Sequence, residues 1–181
     1  MVRSLITLKA LTHNATGAIV AAPTTSLPEE IGGARNWDYR FCWLRDATFT
    51  LYALEKSGYR DEAVAWRRWL LRAVAGSPEQ MQPLYGIAGE RRLPELELDW
   101  LNGYAGSRPV RVGNLARTQV QHDVLGEMMD ALHVAREHNL DPLDDAWRLQ
   151  VKLVEFMERS WTDPDNGIWD CLLYTSPSPR D

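Results

Sequence analysis

Leu5, Ile6, Leu8 and Leu11 recur at helical spacing and predict a short helix over residues 3–12. Residues 13–36 lose that period. Gly, Pro, Ala and Thr dominate them, which marks loop or short strands. Residues 46–57 read as a helix that is apolar almost all round, with Asp46 placed to cap its first turn and Gly58 to stop its last. A helix without a polar face is expected to be buried on every side. A second helix is predicted over 61–75. Asp61 and Glu62 sit in its first turn, Arg67, Arg68 and Arg72 lie further along, and Val64, Trp66, Leu70, Leu71 and Val74 form its apolar face. Residues 76–117 are punctuated by Gly and Pro and hold Tyr85, Trp100 and Tyr104; so long a stretch without a period is usually functional. Periodicity returns over 118–138, where Val120, Val124, Met128 and Leu132 fall at steps of four. Asp141-Pro142 then starts a last helix running to about Trp161, followed by a turn from Asp163 to Gly167. The pattern is all-α: helix pairs with elaborate connections, where binding residues tend to gather.

Composition narrows the function classes. The chain has 181 residues, a formal net charge of -5 and no surplus of Lys and Arg, so phosphate neutralisation, and with it nucleic-acid binding, is a poor fit. Two cysteines, Cys42 and Cys171, exclude a disulfide framework and a Cys-based zinc site. No apolar run reaches the roughly 18 residues of a membrane span. Met1 opens no basic-then-apolar signal segment, so the expected location is cytoplasmic. Eight Trp against three Phe is the unusual feature, because Trp combines a flat apolar face with a polar edge and so serves both cores and sugar-binding surfaces.

The stretch Trp37-Asp38-Tyr39-Arg40-Phe41-Cys42-Trp43-Leu44-Arg45-Asp46 carries the clearest chemistry. Trp37, Tyr39, Phe41 and Trp43 share one period-two face, and Arg45 and Asp46 lie where the chain enters the helix. Read from composition alone, this is first an aromatic core strand followed by an Asp N-cap with a salt-bridged Arg. The other reading is a sugar platform, with rings stacking on axial hydrogens and an Arg–Asp pair gripping adjacent hydroxyls. A second feature is the acidic residue Asp170 directly after Trp169. A carboxyl beside an indole has its pKa raised by loss of water, which suits a general acid; taken alone, though, Asp170 reads first as a solvated Asp at a helix start. Gln119, Gln121 and Asp123 either line a polar pocket or form a solvent-facing stripe, and the acidic run Pro94 to Asp99 reads as a solvated face. His122 with Asp123 or Glu127, and His133 with His138, lack the spacing of a metal site, so no metal and no cofactor is expected. There is no Gly-rich phosphate loop and no Gly-x-Ser-x-Gly elbow.

Residues 171–181 stand apart from what precedes them. Cys171-Leu-Leu-Tyr-Thr-Ser176 is similar to the translation of a transposon-end adapter used in sequencing libraries. The first base of that adapter would complete a GA-initial codon at position 170, so that the native residue there is Asp or Glu. On this reading residues 1–170 are the native part and 171–181 an artefactual tail, to be kept out of fold reasoning.

Residues 17–29 and 35–46, with Gln82 to Gly86, Gly103 to Asn114 and Pro164 to Trp169, together resemble glycoside hydrolase family 15, the glucoamylase-like enzymes. They are closest to its bacterial branch of glucoamylases, glucodextranases and a trehalase. The resemblance covers all of residues 1–170. It implies part of an (α/α)6 barrel of the six-hairpin glycosidase type, truncated at both ends, with the site in a funnel of loops. It also implies inverting hydrolysis of α-glucosidic bonds by two Glu residues without a metal. Trp43, Arg45 and Asp46 match the family's grip on the terminal glucose, Tyr39 an aromatic beside the scissile bond, and Trp169 the indole next to the acid. Position 170 matches the general acid, Glu in the family and Asp170 here, while the catalytic base falls in a C-terminal portion that this chain lacks. The expected substrate is an α-glucoside: an oligosaccharide with α-1,4 or α-1,6 links, or trehalose. The alternative is a non-catalytic helical carbohydrate-binding or scaffold module, which an intact gene lacking both acids would favour. An inverting enzyme needs two carboxyl groups roughly 6.5–9.5 Å apart, and losing one acid–base contribution typically costs about 10²- to 10⁴-fold in rate. The purified 181-residue chain is therefore expected to release no glucose from maltose, starch or trehalose above a buffer blank.

Overall fold

The computed structural model describes residues 2–74, 78–137, 140 and 143–167. The described chain is rich in helix and carries little sheet: α1 (Val2–Ala10), α2 (Leu44–Lys56), α3 (Arg60–Ala73), α4 (Asp123–Glu137) and α5 (Asp144–Ser160), with two-residue strands β1 (Cys42–Trp43), β2 (Leu84–Tyr85), β3 (Leu96–Glu97) and β4 (Arg111–Val112). Helix α2 is the hub and packs against α1, α3 and α4, while α5 packs on α4. The core between them is built from Leu44, Ala47 and Leu51 of α2, Trp66, Trp69 and Leu70 of α3, and Val124, Met128 and Leu132 of α4. Those residues follow the 3.6-residue period, so each helix buries one stripe.

Trp69 does more than fill space. Its ring meets Tyr85 edge-on at 6.2 Å, and its Nε1 donates to the Ile87 carbonyl at 2.8 Å. Tyr85 Oη in turn accepts from the Gln82 backbone N–H at 3.0 Å. Helix α3 thereby fixes β2, and β2 pairs antiparallel with β1, Cys42 opposite Tyr85 and Trp43 opposite Leu84. Leu44 N donates to Pro83 O at 3.0 Å, so the first turn of α2 grows directly out of that pairing.

Several expectations are corrected. Helix α2 starts at Leu44 rather than Asp46; Trp43 is its N-cap and makes no side-chain capping bond, so Asp46 lies inside the first turn and is not the cap. Nor is α2 buried all round. Phe49 and Tyr52 are 62% and 44% exposed on one side, whereas the polar Arg45 and Thr48 are buried, Thr48 Oγ1 returning its hydroxyl to Leu44 O at 2.9 Å. Helix α1 buries no residue. Helix α4 begins five residues later than the hydrophobic steps predict. Val120 is exposed and its backbone is taken up by Asn166, whose N–H donates to Val120 O at 2.8 Å while Asn166 Oδ1 accepts from Val120 N at 3.0 Å. Asp141-Pro142 lies outside the described residues, and α5 opens at Asp144 after the N-cap Leu143. The segment expected to be irregular between α3 and α4 contains β2, the β3–β4 pair and three short 3-10 turns.

Two glycines show what the backbone demands. Gly58 follows the C-cap Ser57 of α2 at φ +87°, with Gly58 N on Glu55 O and Tyr59 N on Leu54 O, the bonding pattern of a Schellman stop. An added Cβ there meets open space. Gly113, at φ +84°, differs: an added Cβ would overlap the Pro94 carbonyl. Gly58→Ala should lose only the left-handed penalty of roughly 1–2 kcal/mol. Gly113→Ala should lose clearly more, because the Pro94 backbone has to move; chemical denaturation of the two variants side by side checks the order.

Candidate active-site cleft

The aromatic stretch is held in extended form by residues 21–26. Ala21 N donates to Phe41 O, Ala22 N to Tyr39 O and Ser26 N to Trp37 O, at 2.9–3.0 Å. Alternation then sorts the side chains. Trp37, Tyr39 and Trp43 line one cleft of about 700 Å³; Phe41, expected on the same face, departs from the alternation and packs on the small core cluster of Trp43, Leu84, Leu93 and Ala116. Asp38, between two rings, turns the other way and is fully buried. Its carboxylate accepts from Arg40 Nε and Nη2, both at 2.9 Å, and from the Gly113 backbone N–H at 3.0 Å. Asn114 Nδ2 adds a bond to the Asp38 carbonyl at 3.1 Å, and Asn114 Oδ1 caps the 3-10 turn 115–118 through Ala116 N at 3.0 Å. The second wall of the cleft is thus tied to the first through Asp38, beside the bonds that Thr25 and Ser26 make with the Arg111 backbone.

Arg111 stands in that second wall. It lies 4.6 Å over the Trp37 ring, pairs with Glu97 at 2.9 Å and Glu95 at 3.6 Å, and donates to Ala34 O at 2.8 Å. With these bonds satisfied it offers a fixed, oriented cation rather than a mobile one. Glu95, Asn114, Thr118 and Gln119 complete this side.

At the floor, α2 delivers Arg45 and Asp46 together. Arg45 Nη2 lies 3.6 Å from Asp46 Oδ2, and its guanidinium stands 5.5 Å from the Trp43 ring. The Asp46 side chain is 45% exposed within the concave cleft. Even so, crowding by protein raises its pKa above the ordinary carboxylate value, against the pull of Arg45. The indole N–H groups of Trp37 and Trp43 are buried and have no acceptor among the described residues. Buried donors normally find one. The turn before position 168 is also held at the cleft: Asn166 lines it, and Asp165 accepts from His122 N at 3.0 Å and Gly167 N at 3.1 Å.

Of the residues singled out from the sequence, Tyr39, Trp43, Arg45 and Asp46 converge on this cleft. Trp169 and Asp170 lie outside the described residues. Sequence reasoning did not pick out Trp37 as a site residue, although the alternation contained it. It also missed Glu95 and Arg111, which meet only because β3 pairs with β4, Glu97 opposite Arg111. Glu95 therefore leaves the solvated face expected of its acidic run. Cys42 is a core residue; burial pushes its thiol up to about 12, so it stays protonated and unreactive at neutral pH. Among the described residues no cluster of His, Cys, Asp or Glu is arranged to hold a metal ion, and no helix is long and apolar enough to cross a membrane.

A family model described as "Glycosyl hydrolases family 15" matches residues 1–178. The chain belongs to that family. A Mycolicibacterium smegmatis protein named "Trehalase" is 44% identical over 171 residues, 93% of this chain and 26% of that protein. The "Trehalase" of Mycobacterium tuberculosis is 42% identical over 171 residues, 93% of this chain and 25% of its own length. "Trehalase 1" of Sulfolobus acidocaldarius is 38% identical over 166 residues, 90% of this chain and 30% of that protein. This family 15 chain thus spans about a quarter of the length of the relatives it matches. No solved structure matches it.

Proposed function

We propose that this chain is the glucose-gripping segment of an inverting α-glucoside hydrolase, and that trehalose is its substrate. The observation that carries the reading is the convergence of Tyr39, Trp43, Arg45 and Asp46 on one cleft. Rings form its sides, and an Arg–Asp pair forms its floor. A pyranose presents axial hydrogens to such rings and adjacent hydroxyls to such a pair. The names of the relatives favour trehalose over α-1,4- or α-1,6-glucans.

On this reading Asp170 occupies the position of the general acid that protonates the leaving oxygen. The residues of the cleft hold the terminal glucose while positive charge develops at its anomeric carbon. Asp46 and Arg45 would strengthen their hydrogen bonds as the ring flattens, which is transition-state rather than uniform binding. The helix order is read as part of an (α/α)6 barrel, and the exposed Phe49 and Tyr52 of α2 suit a face on which further helices pack.

Asp46→Asn keeps the shape of the side chain and removes its charge. Hydrogen bonds to charged groups are worth about 1.5–3 kcal/mol. In the intact enzyme, kcat/KM on trehalose should therefore fall roughly ten- to a hundred-fold. The melting temperature should barely change, because Asp46 does not cap α2. Kinetics and thermal melting on one preparation check both halves. A folded variant with normal kcat/KM would remove Asp46 from the sugar grip.

A further inference from the structure

The cleft repeats one arrangement. At the floor, Arg45 stands 5.5 Å from the Trp43 ring and 3.6 Å from the Asp46 carboxylate. In the second wall, Arg111 stands 4.6 Å over the Trp37 ring, 2.9 Å from Glu97 and 3.6 Å from Glu95. Trp37, Arg111 and Glu95 line the same cleft as the floor residues. The two halves are offset along the chain. Trp37 precedes Tyr39 by two residues of extended backbone, paired through Asp38 with Thr25, a distance of about 7 Å. At about 700 Å³ the cleft has room beyond one pyranose ring.

The wall half keeps hydrogen-bonding capacity. A guanidinium has five N–H donors. Arg111 directs Nε and one Nη2 hydrogen to Glu97 Oε1, at 3.2 and 2.9 Å, and one Nη1 hydrogen to Ala34 O at 2.8 Å. One N–H on each terminal nitrogen is left without an acceptor among the described residues. Glu95 Oε2 accepts from Leu115 N at 3.3 Å, while Oε1, 3.6 Å from Arg111 Nε, is beyond hydrogen-bond reach. Neither side chain is sealed: Arg111 is 12% and Glu95 14% exposed. Leu115, itself exposed, adds an apolar surface to the same cleft. Donors, an acceptor and apolar faces are what a second sugar ring requires. The backbone has anchors of its own, Arg111 N donating to Ser26 Oγ at 2.7 Å and Arg111 O accepting from Thr25 Oγ1, so the wall does not hang on the guanidinium.

We infer that Arg111 and Glu95 bind the second glucosyl ring of an α-linked disaccharide, holding its hydroxyls as Arg45 and Asp46 hold those of the first. The inference rests on the reading above in taking the floor as a glucose site. Glu97 and Ala34 fix the wall cation, so it is set in place for a second ring at one position instead of adapting to the ligand. Arg111 and Glu95 thereby determine the preference for a disaccharide over free glucose.

The test titrates the 181-residue chain with trehalose and, separately, with α-D-glucose, both followed by the Trp43 indole N–H resonance. The parent sequence should bind trehalose roughly tenfold more tightly than glucose, the worth of one charged hydrogen bond. Arg111→Gln should remove most of that advantage. Glu95→Gln keeps an acceptor for Leu115 N and should do the same by itself, which decides the matter if Arg111→Gln does not fold. Trehalose bound no more tightly than glucose by the parent sequence would overturn the inference and leave the floor as a glucose site. So would an advantage that survives both variants, or an equal loss on both sugars. Binding of neither sugar would refute the glucose-site reading and this inference with it.

Discussion

The buried carboxylate of Asp38 joins two stretches of chain that lie 75 residues apart, and with the bonds of Thr25 and Ser26 to the Arg111 backbone it holds the walls of the cleft together. A carboxylate can accept several bonds at once, and this one takes a fork from Arg40 and a backbone N–H from Gly113. Neither stretch is regular enough to hold itself: one is an extended segment bonded to residues 21–26, the other a two-residue strand that runs straight into Gly113. Turning Asp38 inward also turns its neighbours Trp37 and Tyr39 outward, since alternate side chains take opposite faces. The same contact thus closes the wall and presents the rings. Gly113 has to be glycine at this point, because its Cβ would strike the Pro94 carbonyl that passes beside it.

The floor is built by different physics. Helix α2 lacks a side-chain cap and is started instead by the strand pair β1–β2, whose position comes from Trp69 and Tyr85 in the core. Core packing therefore sets the register in which Arg45 and Asp46 leave the first turn. The wall is held by charged hydrogen bonds and the floor by aromatic burial. A substitution in one should disturb the geometry of the cleft without unfolding the other, as expected of sites placed on independently fixed elements.

Helix α3 was legible in the sequence because it keeps an apolar stripe, and α5 because the start signal Asp141-Pro142 stands before it. The aromatic alternation was legible for Trp37, Tyr39 and Trp43 but not for Phe41, which core packing draws away from the cleft. The start of α4 was not: Val120 continues the hydrophobic steps, yet Asp165 and Asn166 claim the backbone of residues 120 and 122 from far along the chain. Asp46 looked like a cap because nothing local reveals that Leu44 is already anchored to Pro83. Glu95 and Arg111 carry no local signal at all, since only the pairing of β3 with β4 makes them neighbours. Family membership was readable from long motifs.

The central claim, that the rings and the Arg–Asp floor form one sugar site, is tested most directly by the indole N–H resonances of the chain during a titration with α-D-glucose. Trp37 and Trp43 line the cleft, whereas Trp66 and Trp69 belong to the core. The account predicts that the Trp37 and Trp43 signals move together along one binding curve while those of Trp66 and Trp69 stay fixed. Sugar binding that leaves Trp37 and Trp43 unmoved, or moves only the exposed Trp100, Trp147 or Trp161, would contradict it.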